Sequence, residues 1–136
     1  VAAKLTKAQL NRKFYNDSKA TNIKATQIAL SAFNTPVILL LGGMERGQDF
    51  SELKEYLSCV KLIVTYGECK ERIEKFAEEL NIEVKVVDFL ENATKLAYEL
   101  SSDNDTILLS PAAASWDQYK CFEDRGNEFK QVVNSL

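Results

Sequence analysis

The sequence predicts an α/β domain: a Rossmann-like open, mostly parallel sheet flanked by helices. Two observations carry that expectation. Short apolar runs at 37–41, 61–66, 84–87 and 106–109 are rich in Val, Ile and Leu and do not alternate apolar with polar. Strands read this way when helices cover both faces of a sheet. Between the runs, apolar residues recur every three or four positions: Phe50, Leu53 and Leu57; Cys69, Ile73, Phe76, Ala77 and Leu80; Leu90, Ala93, Ala97 and Leu100. Each set makes one apolar stripe on a helix. Strands alternating with helices of that length imply right-handed βαβ crossovers in one sheet. With 136 residues and 46% hydrophobic content, the chain has the size and apolar supply of a single domain over residues 1–136.

In chain order, residues 1–12 read as a polar, helix-tolerant lead-in with no assigned role. A strand at 13–16 runs into a first helix over about 22–33, for which Thr21 or Asn22 is a natural N-cap. The strand 37–41 ends in the glycine cluster LLLGGMERG, a tight turn in which glycines supply positive backbone angles. On the middle helix, Glu68 with Arg72 and Glu71 with Lys75 stand four apart with the acid first, which predicts exposed pairs along a solvated face. After the strand 106–109, Ser110 and Pro111 stop the ladder, and Ala112, Ala113 and Ala114 keep the turn slim enough for close backbone approach. Ser115-Trp116-Asp117-Gln118 then matches the S-x-x-[EQ] capping box that opens a helix. The last helix carries Phe129, Val132, Val133 and Leu136 on one face. Trp116, Tyr119 and Phe122, at helical spacing, are expected to pack rather than to stack on a ligand.

The net charge of -3, with no Lys/Arg run longer than two, leaves no electrostatic footprint for nonspecific nucleic-acid binding. The longest apolar stretch, 36–41, is too short to cross a bilayer, and the first residues lack the pattern of a signal segment. A soluble cytoplasmic protein with no nucleic-acid or membrane partner is therefore expected. Cys59, Cys69 and Cys121 are odd in number, form no C-x-x-C and have no His to complete a zinc site. They are expected to be reduced, buried or half-buried thiols, and no metal site is expected.

Neither G-x-x-x-x-G-K-[ST] nor G-x-G-x-x-G occurs, so the chain carries no P-loop and no dinucleotide fingerprint. What it carries is polar groups gathered where strands give way to helices. In NDSKATN, residues 16–22, capping explains the Asp, Ser, Thr and Asn. It does not explain Lys19, because the positive end of a helix disfavours a lysine unless an anion shares the place. Arg46 is either merely solvated or carried to the carboxyl edge of the sheet, where it can fork onto a carboxylate. Lys19, Thr21, Arg46 and Ser115 all follow strands expected to end on that one edge. Cations, hydroxyls and helix amides gathered there suit a small dianion or a phosphate. No residue stands out as a nucleophile or a tuned general base.

NDSKATN, LLLGGMERGQDF and SPAAASWDQYKCFEDRGNEF, in this order and spacing, resemble the carboxy-terminal domain of the Mur ligases, which build the bacterial cell-wall peptide stem. The resemblance covers about residues 13–136. It implies a three-domain bacterial ligase of which this is the Rossmann-like third domain, with the UDP-sugar domain and the central ATPase domain absent. The branch it looks most like adds D-glutamate to UDP-N-acetylmuramoyl-L-alanine: the γ-phosphate of ATP moves to a carboxylate, and the amine of D-glutamate attacks the acyl phosphate. Such chemistry needs positioning and charge neutralisation more than a strong base. By the same resemblance, Lys19 is the catalytic residue and holds the phosphate and acyl region, Asp17 faces the nucleotide, and Thr21, Arg46, Ser115 and Phe122 form the D-glutamate pocket. ATP and Mg2+ are implied for the full-length enzyme, with UDP-N-acetylmuramoyl-L-alanine and ATP held mainly by the absent domains. The fragment alone is expected to bind no cofactor, to be inactive and to be a monomer. The alternative is a stand-alone, noncatalytic Rossmann-like module that holds an anionic metabolite at the same sheet edge.

Overall fold

The computed structural model describes residues 12–136 and the backbone of residues 3–7. The strands are β1 (Ala3–Lys7), β2 (Arg12–Asn16), β3 (Val37–Gly42), β4 (Val60–Tyr66), β5 (Glu83–Val86) and β6 (Thr106–Leu109). The α-helices are α1 (Ile23–Leu30), α2 (Lys70–Glu79), α3 (Leu90–Leu100) and α4 (Phe122–Ser135), and a 3-10 helix spans Phe50–Tyr56. The six strands make one open sheet in the order β1-β2-β6-β3-β4-β5. The pairs β2/β6, β6/β3, β3/β4 and β4/β5 are parallel, as expected, and only β1 runs antiparallel to its neighbour.

Alternate residues of the central strands serve two separate apolar layers, because successive side chains of a strand point to opposite faces. Val37, Leu39 and Leu41 pack with Ile63 and Leu108 under α1, the 3-10 helix and α2. Ile38 and Leu40 pack with Phe14, Leu62, Val64, Ile107 and Leu109 under α3 and α4, where Phe129 and Val133 meet Leu90, Ala93 and Ala97. All six residues of β3 are buried, which is why this run does not alternate. Fully burying each such Leu or Ile contributes about 1.5–3 kcal/mol.

Three expectations need correction. Within the lead-in, Ala3–Lys7 is a strand paired to β2 from Ala3 opposite Asn16 to Lys7 opposite Arg12; the remaining lead-in positions, 1–2 and 8–11, lie outside the described residues. The cause is tertiary, since β2 would otherwise present a bare edge of backbone N–H and C=O groups. The stripe at Phe50, Leu53 and Leu57 is buried as expected, but on a 3-10 helix, with Leu57 as its C-cap, rather than on an α-helix. Strand β5 is not buried on both faces: it is an edge strand with Glu83, Lys85 and Val86 exposed and Val84 half-buried.

Register fixes what lies on the functional edge. Asn16 and Leu40 both stand opposite Leu109, and Gly42 stands opposite Tyr66. The chain therefore leaves β2, β6, β3 and β4 along one carboxyl edge, as expected of a parallel sheet.

Candidate anion site at the carboxyl edge of the sheet

The loop after β2 is built by its own polar residues. Asn22 caps α1 by accepting from the Ala25 N–H at 2.9 Å, so the second of the two expected caps is the one used. Asp17 continues the ladder through its N–H to Leu109 O (2.7 Å) and is only 6% exposed. Its carboxylate accepts from the Ser110 hydroxyl at 2.9 Å, and that hydroxyl lies 3.1 Å from Thr26 Oγ1. Burial raises the Asp17 carboxyl above its ordinary range, against the pull of the Ser110 hydrogen bond. Lys19 is exposed, as is Thr21, the residue before the cap.

Close backbone approach holds the middle loop against the last. Gly42 N–H donates to Pro111 O (3.2 Å) and Met44 N–H to Ala114 O (2.9 Å). A Cβ on Gly42 would stand 2.2 Å from Tyr66 O, and one on Gly43 would stand 2.6 Å from Ala114 O and 2.9 Å from Ala113 Cβ. These glycines are required by contact as well as by their positive φ of 152° and 147°. The slim alanine turn is what permits the approach.

The expected capping box is not a helix start. Gln118 and Tyr119 donate their N–H groups to Ser115 O (3.1 and 2.8 Å), closing a turn, and α4 begins only at Phe122 with Cys121 as its cap residue. Ser115 is buried, Phe122 half-buried, and Trp116 is 61% exposed. Trp116 is therefore not core packing. Its ring lies under the Arg46 guanidinium, with Cζ 5.6 Å from the ring centroid. Tyr119 does pack against the core, and donates to Glu128 at 2.6 Å.

The expected Glu68–Arg72 pair is likewise replaced, Glu68 lying ahead of α2. Arg72 forks onto Glu45 of the glycine loop, Nε to Oε1 and Nη2 to Oε2 at 2.7 Å each, and Nη1 donates to Gln48 O at 2.7 Å. Glu68 accepts from the Glu45 N–H at 3.0 Å. A bidentate carboxylate within reach outcompetes a single i,i+4 contact. The Arg72 hydrogen bond, helped by the Gly47 N–H, holds the Glu45 carboxyl below its ordinary range.

Sequence reasoning missed Arg125. Its guanidinium is fully buried and joins two loops: Nε to Ser18 Oγ (2.9 Å), Nη2 to Ser18 O (2.6 Å) and Nη1 to Ala113 O (2.9 Å). Ser18 in turn donates to Phe122 O at 2.7 Å. All of these acceptors are uncharged, so an arginine charge sits beneath the loops that carry Lys19 and Ser115. The available signal was its place four residues before Phe129, on the buried stripe of α4.

Lys19 lines two hollows. One, of about 490 Å³, also involves Asp17, Tyr15 and Phe33; the other, of about 220 Å³, involves Asn16, Ser18, Phe122 and Lys130. Thr21, Arg46 and Ser115 line neither. Lys19 thus shares one hollow with Asp17 and another with Phe122, and Arg46 stands beside Trp116, the neighbour of Ser115. The three thiols are free, Cys69 buried and Cys59 and Cys121 half-buried, as expected. Among the described residues no helix is long and apolar enough to cross a membrane.

Fold and edge together define an α/β, Rossmann-like domain whose loops after β2, β3 and β6 lie along one carboxyl edge. The family described as Mur ligase, glutamate ligase domain, matches residues 4–113, and the chain belongs to it. It is 57% identical over 127 residues to the UDP-N-acetylmuramoylalanine–D-glutamate ligase of Bacillus velezensis, covering 93% of this chain and 28% of that protein. The Bacillus subtilis protein of the same name is 56% identical over 126 residues, covering 92% of this chain and 28% of that protein. This chain thus spans 28% of the length of those relatives. An alignment covering 127 of 136 residues reaches past Ser115 and Phe122, where the family match has stopped. Among solved structures, UDP-N-acetylmuramate–alanine ligase of Thermotoga maritima superposes with a TM-score of 0.63 at 17% identity, over 96% of this chain and 29% of that one. The MurF ligase of the same organism, in complex with ADP, gives 0.57 at 15% identity, over 97% and 30%. At such identities the likeness is one of fold.

Proposed function

We propose that this chain is the amino-acid-binding, carboxy-terminal part of a bacterial cytoplasmic, ATP-dependent ligase that adds D-glutamate to UDP-N-acetylmuramoyl-L-alanine in peptidoglycan synthesis. The reading is supported by the names of relatives more than half identical to this chain. The structural observation that carries it is the convergence of the loops after β2, β3 and β6 on one sheet edge. There, among the described residues, Arg46 has no carboxylate partner, and Lys19 stands exposed before the N-terminus of α1.

In this reading the two carboxylates of D-glutamate meet Arg46, the hydroxyls of Thr21 and Ser115, and backbone amides near Ser115 and Phe122. Lys19, which lines one hollow with Asp17 and another with Phe122, neutralises charge that builds on the acyl and phosphoryl oxygens as the amine attacks. Asp17, nearly buried and fixed by Ser110, faces the nucleotide. In this reading the Mg2+ that accompanies ATP is assigned, with ATP itself, mainly to the part of the ligase beyond this chain.

The test has two arms. In an NMR titration of this chain, D-glutamate should shift the Arg46, Ser115 and Phe122 amides, and L-glutamate should not. In the full-length ligase, Lys19→Ala should lower kcat by about a hundredfold or more while the urea midpoint stays within error. Normal turnover by that variant removes Lys19 from the site, and equal shifts with both enantiomers remove the pocket.

A further inference from the structure

We infer that Trp116 is a positioning residue for the amino-acid substrate, acting by holding Arg46 in place without consuming the guanidinium's hydrogen-bond donors. The inference rests on the functional reading above and names a specificity device within that site. Trp116 is the largest exposed apolar side chain on the carboxyl edge, at 61% exposure, and it directly follows buried Ser115. Arg46 Cζ lies 5.6 Å from its ring centroid. Among the described residues the Arg46 guanidinium has no hydrogen bond or ion pair; only its backbone N–H is engaged, to Gln48 Oε1 at 3.0 Å.

The neighbouring acids explain how that state persists. Glu45, adjacent in sequence, is forked onto Arg72 and also accepts from the Gly47 N–H at 2.9 Å. Asp117, adjacent to Trp116, accepts from the Glu68 N–H at 3.1 Å. Both acids adjacent in sequence to the pair are thus engaged elsewhere. An aromatic face attracts a cation through its quadrupole and accepts none of its N–H groups along their edges. A carboxylate would have spent those donors; an indole restrains the long side chain and leaves the fork free for a bidentate carboxylate from outside. An alkyl side chain at 116 would leave Arg46 equally charged but unrestrained, so binding would pay the lost rotamer freedom.

Trp116 is the chain's single tryptophan, so its fluorescence reports this contact in the 136-residue chain. Arg46→Ala should change the emission in the absence of any ligand; unchanged emission overturns the pairing. In the full-length ligase, Trp116→Leu should raise KM for D-glutamate about two- to fivefold with a smaller effect on kcat, and Trp116→Phe should restore much of the loss. The increment from Trp116→Leu should vanish in an Arg46→Ala background. An undiminished increment there, or a KM unmoved by Trp116→Leu, overturns the positioning role even if the ligase turns over D-glutamate normally. A wild-type ligase inert toward D-glutamate instead overturns the functional reading, whatever the emission shows.

Discussion

Burial of Asp17 raises its carboxyl above the ordinary aspartate range, and the hydrogen bond from Ser110 offsets only part of that effect. A raised folded-state pKa means that the folded chain disfavours the ionised form. Stability is therefore lost as pH rises from the ordinary aspartate range through the folded value, and the penalty is complete at neutral pH. Asparagine keeps an oxygen for the Ser110 hydroxyl and carries no charge. Asp17→Asn should thus raise the urea midpoint at pH 7, with the gain disappearing below the ordinary aspartate range, while ligase activity falls. A variant less stable than wild type at pH 7 would show that the ionised carboxylate stabilises the loop. A group retained against stability is the mark of a site; composition and spacing showed Asp17 only as one polar residue in NDSKATN, and its role beside the nucleotide came from the family resemblance alone. Lys19 announced itself because it opposed the helix dipole. Arg125 and Trp116 did not, because what distinguishes them is burial and exposure: an arginine on a buried stripe and a tryptophan left out of the core.

Elements whose pattern follows from their own burial were readable. Strands β3, β4 and β6 lie inside the sheet, and their unbroken apolar runs fall within a residue of the observed bounds. Strand β1 exists because β2 offers it an edge, and β5 is largely exposed because it ends the sheet; neither fact is written locally. The same holds for Arg72, whose fork reaches Glu45 in the glycine loop rather than along its own helix. Because the folded-state pKa of Glu45 is lowered, the strap's contribution is present above the ordinary glutamate range and is lost as pH falls through the folded value. The pair is about 40% exposed on each side, so removing it should change global stability by less than about 1 kcal/mol. Its effect should be local. Arg72→Ala at pH 7, and acidification of wild type below the ordinary glutamate range, should both shift and broaden the amide signals of Glu45 and Gly47, leaving those of β3 in place. Sharp, unmoved Gly47 signals in both conditions would show that the loop does not depend on the strap.

One sheet serves two apolar layers, and the strands between them are shared, so neither layer can be lost while the other keeps its floor. Leu39 faces the layer under α1 and α2, Leu40 the layer under α3 and α4, and both are fully buried. Truncating either leaves a cavity in a packed interior, and each of Leu39→Ala and Leu40→Ala should cost about 2–5 kcal/mol. Because the backbone linking the two side chains is the central strand itself, the effects should appear as one cooperative transition. Urea unfolding followed by far-ultraviolet circular dichroism, which sees all helices, and by Trp116 fluorescence, which sees the carboxyl edge, should give coincident midpoints in wild type and in both variants. Coincidence would show that the carboxyl edge is held by the whole two-layer core, so that the 136 residues fold as a unit even though they span 28% of their relatives' length. If Leu40→Ala instead separates the two probes, with fluorescence changing at lower urea than helicity, the loops around Arg125 and α4 form a weaker unit of their own. The cradle would then depend on the rest of the ligase for its shape.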